Sequence, residues 1–202
     1  MIIIACDYNY KNFDEDQIIQ YFTPEFFLSL DFTVNDHYLI LDRLASDLKY
    51  YFQSDSLFPY LAHIFPYDTK IIRIFLNNMY DPLKPDSKGN TPLHYVCKYN
   101  NDTEASVDLL LAYAPAATSI TNNKGYLPIH IASKTNTNLN IIRKLYETFP
   151  DSIFITGANC LELAVAHNPN YQITQFFMNY FFPIISMIFL NWRHVPILII
   201  KY

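Results

Sequence analysis

The sequence predicts an all-α solenoid, in which helix–turn–helix units joined by short hairpin loops stack behind an N-terminal helical cap. Three observations predict it. Glycine is almost absent, with only Gly89, Gly125 and Gly157 among 202 residues. The three stand 36 and 32 residues apart in neighbourhoods that align. An apolar pattern of helical spacing recurs between them. Self-similarity at a fixed period of roughly 20–50 residues marks a repeat array, in which each unit buries its apolar face only against its neighbours.

The first neighbourhood reads Asp86-Ser87-Lys88-Gly89-Asn90-Thr91-Pro92-Leu93-His94-Tyr95-Val96. The second reads Asn122-Asn123-Lys124-Gly125-Tyr126-Leu127-Pro128-Ile129-His130-Ile131-Ala132. The third is weaker: Gly157-Ala158-Asn159-Cys160-Leu161-Glu162-Leu163-Ala164. A second helix goes with each. Val107, Leu109, Leu110 and Leu111 follow the first motif, Ile141, Ile142 and Leu145 the second, and Ile173, Phe176 and Phe177 the third. Ile71, Ile72, Ile74, Phe75 and Leu76 precede the first motif, and Pro59 lies 33 residues before Pro92. Both signs point to a degenerate leading unit.

These motifs resemble the ankyrin repeat, whose pattern is D-x-x-G-x-T-P-L-H-x-A followed by a second helix with a Leu run. The first copy matches nearly throughout, with Val96 in place of Ala. The second departs at Asn122, Leu127 and Ile129, and the third lacks Pro and His. The resemblance covers residues 86–167 closely and 54–180 more loosely. It divides the array into a degenerate unit at 54–85, full units at 86–121 and 122–153, and a degenerate unit at 154–180.

Each motif residue has a physical task. Glycine suits a tight hairpin that requires positive φ. Thr91 is placed to cap the first helix, its hydroxyl accepting a backbone N–H. Pro92 suits the first helical position, where a missing N–H costs nothing. Leu93, Val96 and Cys97 are expected to face the neighbouring helix. Leu127 has no capping group, a local loss of about 1 kcal/mol. Asn159 with Glu162 has the form of a capping box. The resemblance implies that His94 and His130 hydrogen-bond within and between repeats. Neither has the converging partners that a zinc site requires, and Cys97, one turn from His94, falls on a buried position.

Residues 1–53 carry no repeat motif. Asp14 with Gln17, then Thr23-Pro24, then Asn35 or Asp36 read as helix starts. The third helix would present Tyr38, Leu41, Leu44, Leu48 and Tyr51 on one face. The expected role is an N-terminal cap over an apolar end, rather than a separate docking module. At the other end, residues 171–202 contain no acidic residue, and Phe176 to Trp192 is uncharged. Ile173, Phe176 and Phe177 belong to the last unit, and residues 181–202 form an apolar tail. That tail could begin another unit, pack as a lid or contact a membrane. Asn179, Pro183 and Asn191 weaken a membrane-spanning reading.

The totals narrow the function. Hydrophobic residues make up 51% and charged residues 16%, so most of the chain can bury a core. Net charge is −5, and no basic run forms a phosphate-binding stripe, which argues against nucleic acid as a partner. Cys6, Cys97 and Cys160 form no C-x-x-C pair, and an odd count without pairing signs fits a reducing, cytoplasmic setting. Met1 to Ala5 is too short and lacks the basic start of a signal peptide. No catalytic motif is present, neither G-x-S-x-G, nor a phosphate-cradling loop, nor H-E-x-x-H. The expectation is a non-enzymatic scaffold or adaptor with no cofactor, no metal and no small-molecule substrate. Its partner would be another protein, held on the concave surface. The resemblance places the contacts at Ser87, Lys88, Asn90, Tyr95 and Tyr99 in the first copy. In the second they are Asn123, Lys124, Tyr126, Ile131 and Lys134. Tyr95, Tyr99 and Tyr126 are the expected anchors, because aromatic side chains dominate hot spots. The alternative is a membrane-attached protein that uses the tail as anchor.

Overall fold

The computed structural model describes residues 38, 39, 41, 42, 45, 57–99, 103–155 and 159–192, with side chains at all of these except 57, 60 and 183–192. Among them every regular element is helical. The α-helices are α1 (Leu57–Ile64), α2 (Thr69–Asn77), α3 (Pro92–Lys98), α4 (Glu104–Tyr113), α5 (Pro128–Thr135), α6 (Leu139–Thr148), α7 (Cys160–His167) and α8 (Tyr171–Trp192). Short 3-10 turns at Pro115–Ser119 and Pro150–Phe154 follow α4 and α6. The helices form two layers. α1, α3, α5 and α7 stack in order as one, and α2, α4, α6 and α8 as the other.

Helices this short are marginal alone and depend on packing. α3 has 7 residues, and all from Pro92 to Cys97 are buried. α2 turns Ile71, Ile72, Phe75 and Leu76 inward, and α6 does the same with Ile141, Ile142 and Leu145. One apolar core runs the length of the stack, from Phe58 and Leu61 through Leu93, Val96 and Leu110 to Ile173 and Phe177.

The ends of α2 show how local chemistry sets its limits. Asp68 accepts the N–H groups of Lys70 (3.0 Å) and Ile71 (3.2 Å) at its start. At its C-terminus the Tyr80 N–H reaches the Phe75 carbonyl (3.1 Å) and the Met79 N–H the Leu76 carbonyl (3.1 Å). These two bonds form a Schellman motif, with Tyr80 packed edge-on to Phe75 at 4.8 Å. Met79 takes the left-handed position, φ +61°, where glycine is the usual residue.

Tyr38, Leu39, Leu41, Asp42 and Ala45 are helical, and Leu41 and Ala45 are buried. Three bonds tie them to the leading unit. The Tyr38 hydroxyl donates to Asp68 (2.6 Å), Asn78 donates to Asp42 (2.8 Å), and the Tyr80 hydroxyl donates to the Ala45 carbonyl (3.0 Å). Leu44, Leu48, Tyr51, the helix starts at Asp14, Thr23 and Asn35, Cys6, Gly157 and residues 193–202 lie outside the described residues. Helix α8 runs through residue 181 without a break. Among the described residues no helix is long and apolar enough to cross a membrane.

Candidate functional site

Two consecutive hairpins form the edge of the first-helix layer. In the first, Asp86 Oδ1 accepts the N–H groups of Lys88 and Asn90, both at 2.9 Å, and the Asp86 N–H reaches the Asn90 carbonyl at 2.9 Å. In the second, Asn122 Oδ1 accepts from Lys124 and Tyr126, both at 3.0 Å, and its N–H reaches the Tyr126 carbonyl at 2.9 Å. Asn122 therefore replaces Asp86 without loss of the turn, because both offer the same acceptor oxygen. Gly89 and Gly125 hold φ +77° and +76°, as the hairpin reading requires.

The hairpins are joined side to side. The Asn123 N–H donates to the Lys88 carbonyl (3.1 Å), its side-chain amide to the Ser87 carbonyl (3.0 Å), and the Asn122 amide to Asn90 Oδ1 (2.9 Å). Gly89 lies so close to this junction that a Cβ there would sit 2.5 Å from Asn123 Oδ1 and 2.6 Å from its backbone nitrogen.

The motif histidines link the layers of the turn. The Thr91 N–H donates to His94 Nδ1 (3.1 Å). An amide can only donate, so Nδ1 is an acceptor and the neutral ring carries its proton on Nε2. That proton is given to the Tyr126 carbonyl of the next unit at 3.0 Å. Burial lowers the His94 pKa to about 4, outweighing the favourable Tyr126 carbonyl and Asp86. His130 repeats the inner bond, accepting the Leu127 N–H at 3.0 Å, and burial lowers its pKa to about 4. Its Nε2 is buried with no acceptor in bonding geometry among the described residues; the nearby Ser152 backbone favours the charged ring but is outweighed by burial.

Two capping expectations change. Thr91 does not cap through a backbone N–H; its hydroxyl meets His94 Nδ1 at 2.9 Å. The histidine, not the threonine, therefore serves the helix start, and Leu127 loses only that hydroxyl contact while becoming fully buried. Asn159 does cap α7 by accepting the Leu161 N–H (2.9 Å), but Glu162 is exposed and makes no return bond among the described residues.

A second ladder, made by asparagines, joins the units and has no counterpart among the sequence expectations. Asn136, fully buried, donates to the carbonyls of Cys97 (3.1 Å) and Tyr99 (2.7 Å) in the preceding unit and accepts the Asn138 N–H (2.9 Å). Asn168 donates to the Ser133 (2.9 Å) and Asn136 (2.8 Å) carbonyls and accepts the Asn170 N–H (2.9 Å). The signal was present: Asn100-x-Asp102, Asn136-x-Asn138 and Asn168-x-Asn170 recur at offsets of 36 and 32, the same as the glycines.

The proposed contact residues fall into two groups. Ser87, Lys88, Asn123 and Lys124 are exposed at matching hairpin positions. Asn90, Tyr99, Tyr126, Ile131 and Lys134 are half-buried. Tyr95 departs from the anchor expectation. It is 9% exposed, its ring lies 4.7 Å from that of His63, and its hydroxyl donates to Asp86 at 2.6 Å. Burial, then the Asp86 bond, push its pKa up to about 12. Tyr95 thus fixes the hairpin against α3 and offers little surface to a partner. The Tyr99 hydroxyl meets His63 Nδ1 at 2.6 Å. Among the described residues no group of three His, Cys, Asp or Glu side chains could hold a metal ion.

Comparison with known proteins agrees with this geometry. The family model described as ankyrin repeats (3 copies) matches residues 61–153. An ankyrin repeat protein of fowlpox virus (strain NVSL) is 40% identical over 91 residues, which is 42% of this chain and 26% of that protein. The matched stretch is thus about a quarter of the length of that relative.

Proposed function

This chain is an ankyrin-repeat protein, and from that premise we propose that it is a scaffold or adaptor that holds another protein on its hairpin and first-helix face. Ankyrin repeats in general mediate protein–protein interaction; which partner is held does not follow from the fold. The observation that carries the reading is the side-to-side joining of the two full hairpins. It presents Ser87, Lys88, Asn123 and Lys124 on backbone already fixed by hydrogen bonds. A surface ordered before binding loses less conformational freedom on association. Tyr99 at the end of α3 and Ile131 and Lys134 on α5 extend it, with Asn90 and Tyr126 in the hairpins themselves. On this reading the chain has no catalytic role. Cys97 and Cys160, free and buried, support a reducing, cytoplasmic setting. Residues 1–53 would cap the array, units at 54–85, 86–121, 122–153 and 154–180 would form it, and residues 181–202 would be its tail.

The test compares proteins co-purifying with the full chain and with the Tyr126→Ala, Ile131→Ala double variant. Circular dichroism at 222 nm checks that both are folded. The double variant should lose its partner, while Arg143→Ala with Glu147→Ala on α6 should keep it. Retention of the same partner by the first variant would sink the assignment of the face.

A further inference from the structure

The charge on this face is not that of the chain as a whole. Net charge is −5, yet Lys88, Lys98, Lys124 and Lys134 all lie on the hairpins and first helices of the two full units. They form two matched pairs. Lys88 and Lys124 each precede a motif glycine, and Lys98 and Lys134 each lie six residues past the helix-starting proline. Each pair is one 36-residue repeat apart, so equivalent positions of neighbouring units carry the same charge. Lys88, Lys98 and Lys124 are exposed and Lys134 is half-buried.

Among the described residues no carboxylate pairs with any of the four. The ion pairs there join Lys144 of α6 to Glu104 (2.9 Å) and Asp108 (2.6 Å) of α4, in the other layer. Asp86, the acid within this face, has its oxygens taken by two backbone N–H groups and the Tyr95 hydroxyl. Glu162 lies one unit further on, exposed on α7. Lys98 sits 5.6 Å over the Tyr99 ring. His63, beside Tyr95 and Tyr99, feels the field: its pKa is lowered first by burial and then by Lys98 and Lys88, against an opposing Asp86.

We propose that this face takes an extended acidic segment of the partner protein, with its carboxylates set on the Lys88–Lys124 and Lys98–Lys134 pairs. The inference rests on the reading of the face as a protein-binding surface and adds the chemistry of what binds. Packed helices lie about 8–10 Å apart, which approximates the step from one unit to the next. In a polyproline-type segment, with three residues per turn, residues three apart lie on the same side and are separated by about 9 Å. Acidic side chains three apart would therefore meet successive lysines. A long polyanion fits less well, because the rest of the acidic chain repels it.

The experiment pans a displayed library of random 12-residue peptides against the immobilised full chain, and in parallel against its Lys88→Gln, Lys98→Gln, Lys124→Gln, Lys134→Gln variant. Enriched peptides should carry an excess of Asp and Glu, with pairs three apart. They should bind the variant at least about tenfold more weakly and bind the full chain more weakly as salt rises. Enriched peptides without acidic excess, or binding indifferent to the lysine changes, would overturn the charge assignment while leaving the protein-binding reading intact. No enrichment on the full chain would overturn it too. Loss of the co-purified partner from the Tyr126→Ala, Ile131→Ala variant tests the broader reading independently. Tighter binding of oligodeoxythymidine than of the best acidic peptide would overturn the partner class.

Discussion

Replacing Gly89 by alanine should cost about three times as much stability as replacing Gly125. Both glycines hold left-handed φ, +77° and +76°, and an L residue there costs about 1–2 kcal/mol. Alanine returns roughly 0.5 kcal/mol of that by restricting the unfolded chain. Gly125 has open space where a Cβ would go, so Gly125→Ala should cost about 1 kcal/mol. At Gly89 the Cβ would meet Asn123 Oδ1 at 2.5 Å, Asn123 N at 2.6 Å and Asn122 C at 3.0 Å. Two of these are backbone atoms, so the second hairpin must move. It then gives up the bonds from the Asn123 N–H to Lys88 (3.1 Å) and from its amide to Ser87 (3.0 Å), each about 1 kcal/mol. Gly89→Ala should therefore cost about 3 kcal/mol. Urea unfolding followed at 222 nm, with a common slope, measures both. Equal losses, or a larger loss at Gly125, would refute the close approach of the hairpins.

Met79→Gly should raise stability by about 1 kcal/mol in the same assay, because Met79, 76% exposed, holds φ +61°, a backbone position that glycine takes without strain. Asn136→Ala should cost about 3 kcal/mol, since three bonds to buried groups disappear, whereas Lys144→Ala, on a partly exposed pair, should cost under about 1 kcal/mol. His94 and His130 have pKa values lowered from 6.5 to about 4. The unfolded chain then binds more protons than the folded chain between those values. Their contribution is full above pH 6.5, declines as pH falls, and is gone below about pH 4, up to roughly 3 kcal/mol for each ring. Ring-proton NMR should show both histidines still neutral at pH 5.5; protonation near pH 6.5 would contradict it.

Much of the architecture was legible because the constraint at each position was local. A hairpin that needs positive φ retains glycine in a chain with three in all, and the prolines mark helix starts. The second-helix apolar runs could be read because they bury one face each. What could not be read depends on contacts between units. Tyr95 looked exposed by its place in the motif, but His63 of the preceding, degenerate unit covers it. The role of His94 at the helix start was hidden because Thr91, three residues earlier, offered a simpler cap. The asparagine ladder has no apolar signature; its side chains act on backbone carbonyls of the previous unit. The length of α8 was also hidden, since Pro183 lies within it. For the binding face, the motif showed which positions the hairpins expose, while burial separated Lys88, Asn123 and Lys124 from Tyr95.

The most direct measurement of the central claim is hydrogen–deuterium exchange of the full chain, alone and with its co-purified partner. Protection should appear at the hairpins, residues 86–90 and 122–126, and at Lys98, Tyr99, Ile131 and Lys134, which are exposed or half-buried positions of the first-helix layer there. Protection confined to α4 and α6, or none at the hairpins, would contradict the account.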